Sequence, residues 1–200
     1  MTALIVAAVI IVTLYLLGRS RVERLRIVEP KRPVDKAFSM GRNRVEYQSL
    51  GKKIVGDLFI PEDYAPGEKR PAIVVAPPGT SVKEQAAGFY AEKLSKRGYI
   101  TLAFDTRGIG ESEGTPGDAN PYVHANDVAS SVSFISSLPQ VDTDKLFNVG
   151  VCAGVVSAAY ETFQDDRIKA LGMVVPSITG SELTRGTNPI VRSIIYVVSG

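Results

Sequence analysis

This 200-residue chain contains one cysteine, and its neighbours make it the first place to look for chemistry. Cys152 lies in Gly150-Val151-Cys152-Ala153-Gly154, after the apolar run Leu146-Phe147-Asn148-Val149 and before the small-residue, helix-like run Val155 to Phe163. A short strand turning sharply into a helix, with a nucleophilic side chain at the bend and glycines two residues to either side, is the layout of a nucleophile elbow. The glycines matter because the bend crowds the backbone, and a side chain at either place would meet the adjoining strand or helix. A thiol held there points out over the carboxyl edge of a sheet. Alone, the pattern is weak, since a lone cysteine in an apolar stretch commonly serves as a small buried hydrophobe. The flanking elements must decide.

Composition narrows the alternatives. With 44% hydrophobic and 22% charged residues and a net charge of +2, the body reads as globular and shows no electrostatic preference for a partner. One cysteine excludes an internal disulfide, and one histidine, His124, leaves no Cys/His cluster for a transition metal. No cofactor is expected, because neither a dinucleotide fingerprint nor a P-loop is present. Nor is nucleic acid an expected partner: the arginines at 19 to 26 flank an apolar run and form no separate basic patch.

Taken in order, the chain begins with the apolar stretch Thr2 to Leu17, then Gly18 and Arg19, Arg21, Arg24 and Arg26. Sixteen helical residues reach about 24 Å, enough for a short single transmembrane helix, 1–18, with interfacial arginines. A basic linker with Pro30 and Pro33 follows over 19–43. The arginine flank places the body on the cytoplasmic side, the alternative being a cleaved signal and export. From Arg44 the chain reads as an antiparallel hairpin, 44–50 with 54–60, then a buried strand at 71–76, a helix over 83–97 and a strand over 99–104. A glycine-punctuated loop, a helix over 122–138, the elbow strand and helix, and a strand over 168–175 complete the alternation. This predicts an α/β fold: a three-layer sandwich on a mostly parallel sheet with an N-terminal antiparallel hairpin. The last apolar run, 190–198, fits a strand or a short helix.

The order hairpin, strand, Pro77-Pro78-Gly79-Thr80, helix, strand, Asp105-Thr106-Arg107-Gly108-Ile109-Gly110-Glu111-Ser112, helix, Gly150-Val151-Cys152-Ala153-Gly154 resembles the α/β-hydrolase superfamily. Within it, the dienelactone-hydrolase-like branch, where cysteine can occupy the elbow, is the nearer likeness. The resemblance covers roughly Arg44 to Pro176 within a partial domain at 44–200. It implies Cys152 as nucleophile and an oxyanion hole made by the backbone N–H groups of Ala153 and Thr80. Pro77 stands where many relatives have histidine, and Thr80-Ser81 replaces a glycine pair.

In that superfamily the acid and then the histidine follow the nucleophile in chain order, whereas no histidine follows Cys152. His124 lies upstream and reads as a polar residue near a helix start. Asp165 and Asp166 read as a solvated turn at the opposite end of the sheet. Asp105, Arg107 and Ser112 read as a structural loop closing the mouth of the site, with Arg107 open to a substrate contact. Lys83-Glu84-Gln85 read as first-turn helix residues, with Glu84 favourable at the positive dipole end, and Asp142 and Asp144 as turn residues starting the elbow strand. The expectation is therefore an incomplete copy of a membrane-anchored hydrolase, acting on carboxylic esters or related acyl compounds through Cys152. Its alternative is a tethered, non-catalytic module that binds a small acyl ligand or a partner in the same crevice. A sheet edge left uncovered by an incomplete domain would favour self-association.

Overall fold

The computed structural model describes residues 37–116 and 120–176. The expected anchor, most of the expected linker and the apolar run 190–198 lie outside the described residues. Among the described residues, no helix is long and apolar enough to cross a membrane.

Strands β1 (Gly41–Ser49) and β2 (Lys52–Ile60) pair antiparallel in full register, Gly41 opposite Ile60 and Ser49 opposite Lys52. Alternation in β1 leaves every second residue exposed, as befits an edge strand, whereas β2 is buried from Ile54 onward. The apolar runs become β3 (Arg70–Ala76) and β4 (Ile100–Phe104). Between them, helix α1 (Ala86–Ser95) is shorter at both ends than the expected 83–97. Residues 82–85 make a tight turn instead, with the Gln85 amide donating to the Val82 carbonyl (3.0 Å).

Helix α2 (Pro121–Ser136) is capped by Asn120, whose side chain accepts from the Tyr122 amide at 3.0 Å. The elbow strand, β5 (Val141–Val151), is longer than its apolar run because residues 142–145 form a polar irregularity: Arg70 faces Val141, yet Ala72 already faces Leu146. Asp142 shapes that stretch, accepting from the Asp144 amide (3.2 Å) and pairing with Lys145 (2.9 Å). Helix α3 (Gly154–Thr162) and β6 (Ile168–Val174) complete the described body.

The six strands form one mixed sheet in the order β1-β2-β4-β3-β5-β6, with β4, β3, β5 and β6 mutually parallel. Helices cover both faces, as the alternation predicts. On one face α2 and α3 supply Val128, Val132, Ile135 and Ala158 to a core that includes Leu58, Val74, Leu102 and Leu146. On the other, Ala87 and Ala91 of α1 pack on Ile73, Val75, Ala103 and Val151. Each fully buried Val, Leu or Ile contributes about 1.5–3 kcal/mol relative to exposure.

This connectivity fixes where a ligand can approach. From the carboxyl end of β3 the chain leaves through α1 on one face. From the neighbouring β5 it leaves through α3 on the other. Loops that diverge from adjacent parallel strands open a crevice at their carboxyl ends, the usual binding place in α/β sheets. Pro77 to Thr80 and Cys152 stand on its two sides.

Candidate active site

Strand β5 ends at Val151 and α3 begins at Gly154, so only Cys152 and Ala153 make the turn. Cys152 adopts φ +53°, a left-handed backbone that a side-chain-bearing residue holds at a cost of about 1–3 kcal/mol. Its amide donates to the Val174 carbonyl at 2.9 Å, and its carbonyl accepts from Val155 at 3.1 Å, so β6 and α3 together hold the strained residue in place. Close approach explains both glycines. A Cβ on Gly154 would stand 2.3 Å from the Pro77 carbonyl oxygen, and one on Gly150 would stand 2.4 Å from the Val155 Cα. The thiol is half-buried. This is an elbow by backbone geometry as well as by spelling.

The loop after β3 meets the elbow. A Cβ built on Gly79 would lie 3.5 Å from the Ala153 Cβ, and the Ser81 amide closes a turn onto Pro78 (3.1 Å). Thr80 is exposed at its tip. Among the described residues, no backbone acceptor takes the amide of Thr80 or Ala153. Two N–H donors in neighbouring loops at the mouth of the crevice suit a developing oxyanion.

His124 lies near the start of α2, as expected, but it is buried. It lines a cavity of about 40 Å³ beneath the elbow together with Pro77, Gly79, Thr106, Ala153 and Ser157. Cys152 is not among the residues lining that cavity. Among the described residues, the buried Thr106 hydroxyl on its wall has no hydrogen-bond partner.

The loop from Asp105 to Ser112 is structural, and its arginine is occupied. Arg107 binds the fully buried Asp127 (Nη2 to Oδ1, 2.6 Å) and also reaches Ser49 Oγ at 3.0 Å, which withdraws it from the substrate contact left open above. Ser112 Oγ donates to the Asp105 carbonyl (2.7 Å) and accepts from the Val55 amide (2.9 Å).

Three readings are corrected. Lys83 is not a first-turn helix residue: it precedes α1 and is buried, its ammonium surrounded by Asp105, Glu84 and Glu111. Glu84 therefore serves Lys83 (2.8 Å) and not the helix dipole. Asp165 is no solvated turn either. It is buried before β6 and binds Arg167 (2.6 Å); burial pushes its carboxyl up, but the hydrogen bonds and charge of Arg167 outweigh that and hold it below the usual range. Asp166 is exposed, as expected. Both aspartates lie at the amino end of β6, across the sheet from the elbow.

Glu161, not singled out in the sequence, is buried at the far end of α3. Burial, then the nearby Asp165 charge, push its carboxyl up to about 9. Its only sequence signal is an acid on the inward face of a helix. Among the described residues, no group of three or more His, Cys, Asp or Glu could hold a metal ion.

No family model matches the chain. Among curated proteins, it is 37% identical over 138 residues to the uncharacterized protein YcjY of Escherichia coli (strain K12), covering 68% of this chain and 45% of that one. It is 32% identical over 138 residues to the thiohydrolase aneE of Aspergillus aculeatus, covering 68% and 42%. The chain thus spans less than half the length of these relatives. Among solved structures, the complex of DcsB with its substrate analogue is 35% identical with a TM-score of 0.62, over 68% of this chain and 46% of that one. The α/β hydrolase GrgF of Penicillium sp. sh18 is 25% identical with a TM-score of 0.65, over 80% and 53%. A dienelactone hydrolase-like phosphotriesterase from metagenomic libraries shares the fold at 19% identity and a TM-score of 0.57, over 75% and 66%.

Proposed function

Because this chain belongs to the α/β-hydrolase superfamily, we propose that Cys152 is an acyl-accepting nucleophile for thioesters or carboxylic esters. The observation that carries this reading is the strained φ of Cys152, maintained by β6 and α3 at the carboxyl edge of β5. Strain of that kind persists where the surrounding structure enforces it, and functional sites are where it gathers. Similarity to a thiohydrolase supports a thioester as substrate.

In the proposed reaction, the thiolate sulfur forms a bond to the carbonyl carbon while the carbonyl π pair moves onto oxygen. The Ala153 and Thr80 amides hold that oxyanion. Collapse of the intermediate expels the thiolate or alkoxide leaving group, which takes up a proton, and leaves an acyl-cysteine. Acylation needs a base for the thiol proton, and release of the acyl group needs activated water. Superfamily order puts the histidine for both after the nucleophile, and none follows Cys152 in these residues. The second reading is a non-catalytic module that holds a small acyl ligand or a partner in the crevice. The apolar run 2–17 with its arginine flank supports a membrane tether, with this domain on the cytoplasmic side.

Release of p-nitrophenolate from p-nitrophenyl acetate separates the two readings. The assay is run at pH 9. We expect a burst of about one equivalent per chain that disappears in Cys152→Ala. A folded wild-type chain with no burst above the Cys152→Ala background would leave the binding module standing.

A further inference from the structure

Lysine is almost never fully buried unless its charge is paired, and Lys83 is paired three times over. Its ammonium lies 3.1 Å from Asp105 Oδ2, 2.8 Å from Glu84 Oε1 and 2.7 Å from Glu111 Oε1. Its own amide donates to the other Asp105 oxygen at 2.7 Å. Asp105, fully buried and the first residue beyond β4, also accepts from the Glu111 amide at 3.0 Å. The chain folds so tightly over that carboxylate that a Cβ on Gly110 (φ +55°) would stand 2.3 Å from its Oδ2. Glu111 in turn binds Arg44 of β1 at 2.7 Å. One carboxylate thus ties together the loop after β3 and the loop after β4, both at the mouth of the crevice.

The charges are locked as well. Burial pulls the Lys83 ammonium down, but hydrogen bonds to Glu111, Glu84 and Asp105 outweigh it and raise it above its ordinary value. Arg44, then Lys83, hold the Glu111 carboxyl down at about 2. Packing alone does not require such a network, since a buried ion pair is commonly no more stabilising than well-packed apolar residues of similar volume. What directed hydrogen bonds add is position. Lys83 lies three residues beyond Thr80, in the same loop and just after the Pro78–Ser81 turn that carries Thr80.

We propose that the Lys83–Asp105 pair is a positioning device for the oxyanion hole: it sets the loop after β3 over the elbow so that the Thr80 amide faces the same point as that of Ala153. Its effect on chemistry rests on the proposed role of Cys152. Its effect on the loop does not, and the two are measured separately.

An aliphatic trifluoromethyl ketone adds the thiol across its carbonyl. A sulfur–carbon bond forms, the π pair goes to oxygen, the thiol proton is released to solvent, and nothing leaves. Iodoacetamide alkylates the same sulfur with loss of iodide and no oxyanion. For Lys83→Met, adduct affinity followed by 19F NMR should fall at least about 10-fold, as for a displaced oxyanion donor, while the alkylation rate stays within about twofold. Exchange of the amides at 81 and 83, bonded to the Pro78 carbonyl and to Asp105, should quicken at least about 10-fold, with β3 and β5 unchanged. Should Lys83→Met fail to fold, Glu111→Gln removes a half-exposed partner and should give the same split at about threefold or more. Unchanged affinity in a folded variant, or affinity and alkylation falling together, overturns the proposal. If the wild-type chain is alkylated but forms no adduct, the oxyanion reading fails and the exchange arm decides: faster exchange supports the positioning of the loop, unchanged exchange overturns it.

Discussion

The two ends of α3 handle buried polarity in opposite ways. At its amino end, Cys152 sits in a strained backbone among small residues, half-open to the crevice. At its carboxyl end, Glu161 is fully buried with Asn148 and close to Asp165, and Arg167 anchors that aspartate. Strand β5 serves both, leading directly into Cys152 and supplying Asn148 four residues earlier. A nine-residue helix is only about 13 Å long, yet the most perturbed carboxyl on it lies at the end away from the crevice. A displaced pKa is a pointer to function only when it stands in a cleft. Here the displaced group stands away from the crevice, and the strained backbone stands beside it.

Substitutions at the two ends should therefore fail differently. The largest effect is expected from Gly154→Ala, because its Cβ would meet the Pro77 and Ala76 carbonyl oxygens at 2.3 and 2.6 Å. Neither backbone can yield without moving β3, so stability to urea should fall by about 3 kcal/mol and the acylation burst should vanish with it. A variant as stable as wild type would show that the elbow is looser than its contacts indicate.

The next effect lies at the other end. Glu161 in the folded chain titrates near 9, against an ordinary 4.5, so between those values the unfolded chain has lost a proton that the folded chain keeps. Stability from this group is full below about pH 4.5 and is lost progressively as pH rises toward 9. Glu161→Gln should flatten that fall and raise the melting temperature at pH 8 by about 4 °C or more, without altering the burst. A Gln variant with the wild-type pH dependence would show that Glu161 stays ionised in the fold.

The smallest effect isolates the strain itself. Cys152→Gly removes the Cβ that makes φ +53° costly, and should raise stability by about 1 kcal/mol while abolishing the burst. A loss of stability would show that the thiol packs as a core residue.

What the sequence made legible was local. Short apolar runs, turn residues and the glycines at 150 and 154 report geometry within a few residues, and the sheet, the helices and the elbow follow from them. What it hid was long-range. Lys83 in Lys83-Glu84-Gln85 looks like part of a helix's first turn because its partners Asp105 and Glu111 are 22 and 28 residues away. The arginine at 107 looked available because Asp127 lies 20 residues on, inside a helix. Strand β5 was read short because Asp142 to Lys145 break the apolar pattern, although the chain bulges there and resumes its pairing with β3. Asp165 reads as solvated for another reason: its partner, Arg167, is only two residues away, but polar residues in a short connection look alike whether buried or solvated.

The most direct test is where an acyl group lands. After brief treatment with a short-chain acyl thioester at pH 9, tandem mass spectrometry should place one acyl group on the sulfur of Cys152, removable by neutral hydroxylamine and absent from Cys152→Ala. Acylation confined to surface lysines, or a folded chain that carries no acyl group, would contradict the assignment of this elbow to acyl chemistry.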